Sequence, residues 1–139
     1  MDTPQRHRHA LMVIIVGALA GATCACGPAS PSSSSLAGTW AGDHATVTVT
    51  ATATHFEFDC AFGDIPEALT VGQFSVAGTF VREHSGAVTP GEVADSHPAL
   101  YAGSATSTTM AVTVTLRDTN QVIGTFALVR GTGHLTKCY

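Results

Sequence analysis

Hydrophobic and polar residues alternate with a period of two along most of the chain after residue 45. Residues 45–53 (ATVTVTATA) place valine and alanine on one face and threonine on the other, and residues 109–117 repeat this arrangement. Such alternation, rich in Val, Thr and Phe, is typical of antiparallel strands with one buried face. We predict strands at about 38–42, 45–53, 55–60, 68–71, 73–82, 99–105, 109–117 and 122–130, with an extended tail at 134–138.

The short connections between these segments predict an all-β fold, a small antiparallel up-and-down barrel or meander of seven or eight strands. At most one short helical turn is expected, near residues 65–69. In so small a barrel, bulky inward side chains would fill the interior; the candidates are Phe56, Phe58, Phe74, Phe80, Met110 and Phe126. Residues 83–98 form one long polar loop, and loops of this length often carry function.

The N-terminal residues follow a different pattern, with Arg6 and Arg8 before an uncharged apolar run at residues 11–20. A membrane-spanning helix needs about 20 apolar residues, so we expect a cleaved secretory signal rather than a permanent span. The segment resembles a bacterial lipoprotein signal, in which small residues precede a lipidated cysteine. Cys26, between Ala25 and Gly27, is the favoured lipidation site and Cys24 is the alternative.

This resemblance implies a protein of the bacterial cell envelope, lipid-anchored to a membrane and exposed outside the cytoplasm. The Gly, Ser and Pro residues that follow contain no large apolar side chain until residue 36, which predicts a disordered linker. The expected organisation is therefore a signal peptide (1–25), a lipidated cysteine with its flexible linker (26–36) and a β-barrel domain (37–139).

The part of the chain that follows the predicted signal is acidic. Residues 26–139 contain four Lys or Arg against nine Asp or Glu, a net charge of −5. This excludes nucleic acid and favours a neutral, apolar or cationic partner. With the lipidation site set aside, Cys60 and Cys138 remain, and an oxidising compartment favours a disulfide between them over two free thiols.

The domain opens with LAGTWAG at residues 36–42, and ALVRG at residues 127–131 closes the last predicted strand. Small barrels of the lipocalin and avidin type (calycins) begin similarly, with a G-x-W motif, and the chain resembles them at Gly38, Thr39 and Trp40. The resemblance implies that Arg130 packs over Trp40 as a cation–π pair at the barrel floor. Bacterial lipoproteins with the same GTW start and a C-terminal cysteine are also similar.

Candidate binding residues lie in or beside the long loop, namely His84, Glu92, Asp95 and His97. Their nitrogen and oxygen atoms would suit Zn²⁺ or Cu²⁺ if the fold assembled them, but exposed polar loop residues are the favoured interpretation. After the predicted signal, no histidines have the H-x-H, H-x₃-H or H-E-x-x-H spacing of metal-binding motifs. We therefore assign neither a metal nor a cofactor.

The sequence offers little for catalysis, since it contains no G-x-S-x-G motif and no glycine-rich phosphate loop. Glu57 and Asp59 could form an acid–base pair, although polar residues on a solvated strand face are the simpler interpretation. We therefore expect no enzyme but a monomeric binding or interaction module, with a small apolar ligand or an envelope protein as partner. The alternatives are a purely structural lipoprotein with a filled barrel and a carrier of a small molecule or metal.

Overall fold

The computed structural model describes residues 34–87 and 89–138. Within them, eight antiparallel strands close into a barrel in chain order, and β1 pairs with β8 to complete it. This architecture confirms the predicted all-β up-and-down barrel. The predicted signal peptide, both candidate lipidation cysteines and most of the linker lie outside the described residues. The strands are β1 (Gly38–Gly42), β2 (Ala45–Val49), β3 (Thr54–Phe58), β4 (Ala61–Ile65), β5 (Gly72–Arg82), β6 (Asp95–Ala105), β7 (Thr109–Leu116) and β8 (Val122–Arg130).

Alternate side chains of each strand point into the barrel, as the period of two predicts. The bulky residues expected inside all belong to the core or pack against it: Phe56, Phe58, Phe80 and Met110 are buried, and Phe74 and Phe126 are half-buried. Residues 34–87 and 89–138 include no helix long and apolar enough to cross a membrane.

The strand predicted at residues 45–53 is too long, because β2 ends at Val49. The Thr50 amide donates to the Ala53 carbonyl (2.8 Å), and the Ala53 amide donates to the Thr50 hydroxyl (3.0 Å). Threonine hydroxyls that bond to nearby backbone favour turns. The Ala–Thr alternation therefore runs on through a turn, and Thr54 begins the next strand with its side chain buried.

The structure contains a strand, β4 (Ala61–Ile65), that the pattern did not predict. Its centre is occupied by Gly63 and Asp64, residue types that are uncommon in strands, so the local pattern does not predict it. The strand expected at residues 68–71 and the helical turn considered beside it are both absent from this described segment. These residues belong instead to the β4–β5 connection, in which Leu69 is buried.

β6 begins at Asp95 rather than at residue 99, so the long connection comprises residues 83–94. Pro98 obscured this part of the strand, because proline cannot donate a hydrogen bond to a ladder. Pro98 lies opposite Thr79 of β5, and the ladder of β6 with β7 begins only at the next residue. Just beyond that ladder the Pro98 carbonyl accepts a hydrogen bond from the Arg117 amide (2.8 Å), so the missing proline amide leaves one hydrogen bond there. The tail at 134–138 forms no strand.

The two ends of the barrel differ. The end at which β1 begins and β8 finishes is closed by the buried side chains of Leu36, Trp40 and Leu69. The sequence assigned Leu36 to the linker, but its burial in the core places it in the barrel domain. The opposite end carries the connection 83–94. We call these two ends the closed end and the open end.

Candidate functional site

The closed end is held by contacts of Trp40, the only tryptophan of the chain. The guanidinium carbon of Arg130 lies 4.6 Å from the centroid of the Trp40 ring, and the two residues are paired between β1 and β8. Arg130 also donates hydrogen bonds of 2.9 Å to the carbonyls of Ala37 and Ser107. The structure thus contains the cation–π contact that the sequence predicts. All of these contacts of Arg130 are with other residues of the chain. The Trp40–Arg130 pair therefore has a structural role at the closed end.

Tyr101 occupies the middle of the barrel, where its hydroxyl donates to the Thr79 carbonyl (2.7 Å) and its ring lies 4.8 Å from that of Phe56. Gly63 and Gly78 make room for it, since a Cβ on Gly63 would lie 1.9 Å from the tyrosine oxygen. Burial raises the pKa of Tyr101 far above its ordinary value, so the hydroxyl remains a donor. Side chains therefore occupy the centre of the barrel.

The open end has an apolar depression of about 430 Å³. Its apolar lining includes the buried rings of Phe58 and Phe80 and the half-buried side chains of Ile123 and Phe126. The centroid of the Phe58 ring lies 5.5 Å from that of Phe80 and 4.9 Å from that of Phe126. Small-molecule sites are commonly about 300–1,000 Å³ in volume and mostly apolar. The depression falls within this class, and we call it the mouth.

Polar side chains surround the mouth, namely His44, Asp59, Arg82, Glu83 and Gln121. The Arg82 guanidinium donates to the Gln121 amide oxygen (3.0 Å) and lies 3.6 Å from a carboxylate oxygen of Asp95. His44 Nδ1 bonds to Asp59 Oδ2, and this hydrogen bond raises the pKa of His44. The mouth therefore has an aromatic floor and a polar rim. The rim carries acidic groups and one arginine, whose charge Asp95 partly offsets.

A disulfide between Cys60 and Cys138, with a Cα–Cα distance of 5.1 Å, lies beside the mouth and confirms the predicted pairing. The Cys138 amide donates to the Asp59 carbonyl (3.1 Å). One residue before it, Lys137 forms ion pairs with Glu57 and Glu83. The C-terminal tail therefore fixes the β3–β4 turn and the start of the connection 83–94.

The residues predicted as a binding loop form two separate groups. His84 pairs with Glu92 at 2.6 Å within the connection 83–94. His97, on β6, bonds to Asp95 (2.9 Å) and to Asp118 (2.6 Å) in the β7–β8 turn. The bond to Asp118 raises the pKa of His97 and lowers that of Asp118. Among the described residues, no group of three or more His, Cys, Asp or Glu is arranged to hold a metal ion.

The two carboxylates considered for acid–base chemistry have different partners. Glu57 bonds to Lys137 and to His55 Nε2 (2.8 Å), whereas Asp59 bonds to His44. Burial alone would raise the pKa of Glu57, but the hydrogen bonds from Lys137 and His55 outweigh burial and lower it. The hydrogen bonds thus favour the anionic form of Glu57, and the partners of Glu57 differ from that of Asp59.

Sequence reasoning missed His44, Arg82 and Gln121 as residues of the mouth. They lie in the β1–β2 turn, at the last residue of β5 and in the β7–β8 turn. In an up-and-down barrel, alternate connections share one end. The predicted up-and-down topology was therefore enough to place these turns at the same end of the barrel as the 83–94 connection.

The closed eight-stranded antiparallel barrel is compatible with calycin-type architecture. Comparison with known proteins found no matching family model, no matching curated protein and no matching solved structure. The fold and the open end are therefore the basis for inferring a function.

Proposed function

We propose that this protein is a lipid-anchored lipoprotein of the bacterial cell envelope whose lipocalin-like barrel acts as a non-enzymatic binding module. The anchor would be Cys26, or Cys24 in the alternative register, and the serine-rich segment would tether the barrel outside the cytoplasm. The Cys60–Cys138 disulfide supports this location, because disulfides persist in oxidising compartments.

The observation that carries the binding role is the position of the mouth. An apolar depression of about 430 Å³ opens at the end that is left uncovered, opposite the end closed by Leu36, Trp40 and Leu69. A domain tethered through residues before Leu36 is attached at its closed end, and its mouth therefore lies at the end away from the tether. Neutral or cationic apolar molecules of modest size are the expected ligands, because the domain is acidic.

A purely structural role is the second candidate, and the filled interior favours it. Trp40, Phe56 and Tyr101 occupy the barrel, so a ligand has room at the mouth and not at the centre. The two candidates therefore differ in one respect, which is whether the mouth holds a ligand.

The test uses N-phenyl-1-naphthylamine, a neutral apolar probe that fluoresces on leaving water, with the full chain in a mild detergent and empty micelles as the blank. Ile123→Asp places a charge in the lining of the mouth and should abolish the protein-dependent signal. Val129→Asp is the matched control, because Val129 lies on the same strand and is 58% exposed. An unchanged signal in Ile123→Asp would leave the structural role as the better account. A loss only in Val129→Asp would contradict the mouth as the site and assign binding to the separate depression that Val129 lines.

A second variant examines the 83–94 connection as part of the binding surface. Replacing residues 85–93 by a short glycine-containing turn keeps β5, β6 and Glu83 intact. We expect weaker probe binding and an unchanged circular dichroism spectrum. Unaltered binding would confine the function to the mouth itself.

A further inference from the structure

The floor of the mouth is built from aromatic rings that pack on one another. Phe58 contacts both Phe80 and Phe126, and Phe126 is only half-buried. The face of an aromatic ring carries negative potential and attracts a cation placed over it. An exposed ring at the floor can therefore hold either an apolar group or an organic cation.

Acidic side chains are concentrated around this floor. Six of the nine carboxylates in the barrel domain lie in connections at the open end or at the strand start beside them: Asp43, Asp59, Glu83, Glu92, Asp95 and Asp118. The cations near this end are Arg82, Arg117 and Lys137. His44 and His97 add to them when protonated, since hydrogen bonds to Asp59 and Asp118 raise the pKa of these two imidazoles. Low-dielectric walls lined by one sign of charge concentrate ions of the opposite sign.

In the lining of the mouth, carboxylates also outnumber Lys and Arg side chains. Asp59 and Glu83 are carboxylates of the lining, and Arg82 is its one arginine. Arg82 is drawn towards Gln121 and Asp95, which offset its charge. Both carboxylates already have a partner, because Asp59 bonds to His44 and Glu83 forms a 2.9 Å ion pair with Lys137. A ligand cation would therefore compete with His44, which is 75% exposed, and with Lys137.

We propose that the mouth selects small organic cations with an apolar body, such as aryl or alkyl quaternary ammonium compounds. The apolar part would lie on Phe126 and Ile123, and the cationic group would lie near Asp59 and Glu83. A volume of about 430 Å³ accommodates a molecule of this size. This inference rests on the proposed binding role of the mouth and adds to it the charge of the ligand.

The experiment compares three probes of similar size by isothermal titration calorimetry with the full chain in mild detergent. They are benzyltrimethylammonium, 3-phenylpropanamide and 3-phenylpropanoate, which are cationic, neutral and anionic. We expect the cation to bind about five- to tenfold more tightly than the amide, and the anion to bind most weakly. Higher salt should reduce this preference, because exposed charges are screened.

Charge-removing variants then locate the preference. Asp59→Asn and Glu83→Gln should each bring the affinity for the cation closer to that for the amide. Glu67→Gln is the matched control, because Glu67 is exposed in the β4–β5 connection at the closed end. Its effect should be negligible.

The outcomes separate the two proposals. If all three probes bind equally and Ile123→Asp abolishes binding of each, the mouth is a binding site but the cation preference is wrong. A cation preference that survives in both Asp59→Asn and Glu83→Gln also overturns the inference. If none of the probes binds, or if Ile123→Asp leaves the binding of the neutral amide unchanged, the proposed binding role itself fails.

Discussion

Replacing Gly63 by alanine is expected to destabilise the barrel strongly, because the new Cβ would collide with a buried hydrogen bond. It would lie 1.9 Å from the Tyr101 hydroxyl oxygen and 2.7 Å from the Thr79 carbonyl oxygen. These two oxygens form the bond that holds Tyr101 in the core. Overpacking and loss of a buried hydrogen-bond partner each cost about 1–3 kcal/mol, so the free energy of unfolding should fall by about 2–5 kcal/mol.

Urea denaturation followed by the fluorescence of buried Trp40 measures this loss. Tyr101→Phe removes the nearest clashing oxygen, so Gly63→Ala should cost at least about 1 kcal/mol less in that background. Gly124→Ala is the control, because the three atoms nearest to its Cβ would all belong to the Phe126 ring, at 3.2 Å or more. A loss below about 0.5 kcal/mol for Gly63→Ala, or strictly additive losses in the double variant, would refute the packing described for Tyr101.

Three further predictions concern other parts of the chain. Replacing Cys60 and Cys138 by serine opens a loop with a sequence separation of 78 residues and should cost up to about 4.5 kcal/mol in urea denaturation; a loss below about 1 kcal/mol would contradict it. Because the bond to Asp118 raises the pKa of His97, its contribution to stability should be complete below the ordinary histidine pKa and be lost as pH rises through the raised value. Asp118→Asn should flatten this dependence of urea stability on pH, and an identical slope in both proteins would contradict the account. Cys26→Ser should move the protein from the membrane to the soluble fraction, and release by Cys24→Ser alone would assign the anchor to the other cysteine.

The parts of the fold that were predictable are those with an uninterrupted period of two. The residue ranges predicted for β1 and β8 match the structure, and that of β7 differs by one residue. In β7 each buried residue is apolar and its neighbours are polar or small, so the pattern alone identifies the buried face.

Other elements depend on residues that are distant along the chain. Gly63 interrupts the pattern of β4 because the ring of Tyr101, which lies on β6, fills the space above it. Pro98 is tolerated in β6 because it lies at the end of the ladder with β7, where its carbonyl still accepts a hydrogen bond from the Arg117 amide. Neither reason is visible in the local sequence.

The parts of the site that depend on a single pair of residues were predictable from the sequence. Trp40 and Arg130 are paired as the resemblance to calycins implies, and Cys60 and Cys138 are paired as expected from the two cysteines that remain after the lipidation site. The partners of the histidines were harder to predict. His97 bonds to Asp118 only because the register of β6 with β7 brings the β7–β8 turn beside it. The mouth requires the topology of the whole barrel, because it is shared by residues from several connections.

The most direct test of the binding role is nuclear magnetic resonance of the full chain, in mild detergent, with labelled Ile methyl, Val methyl and Phe ring groups. Benzyltrimethylammonium is added, and 3-phenylpropanoate serves as the comparison. The account predicts that the largest chemical-shift changes occur at the Ile123 methyl groups and the Phe126 ring, with little change at Val129 on the outer surface. The largest changes at Val129, or no saturable change in the mouth, would contradict it.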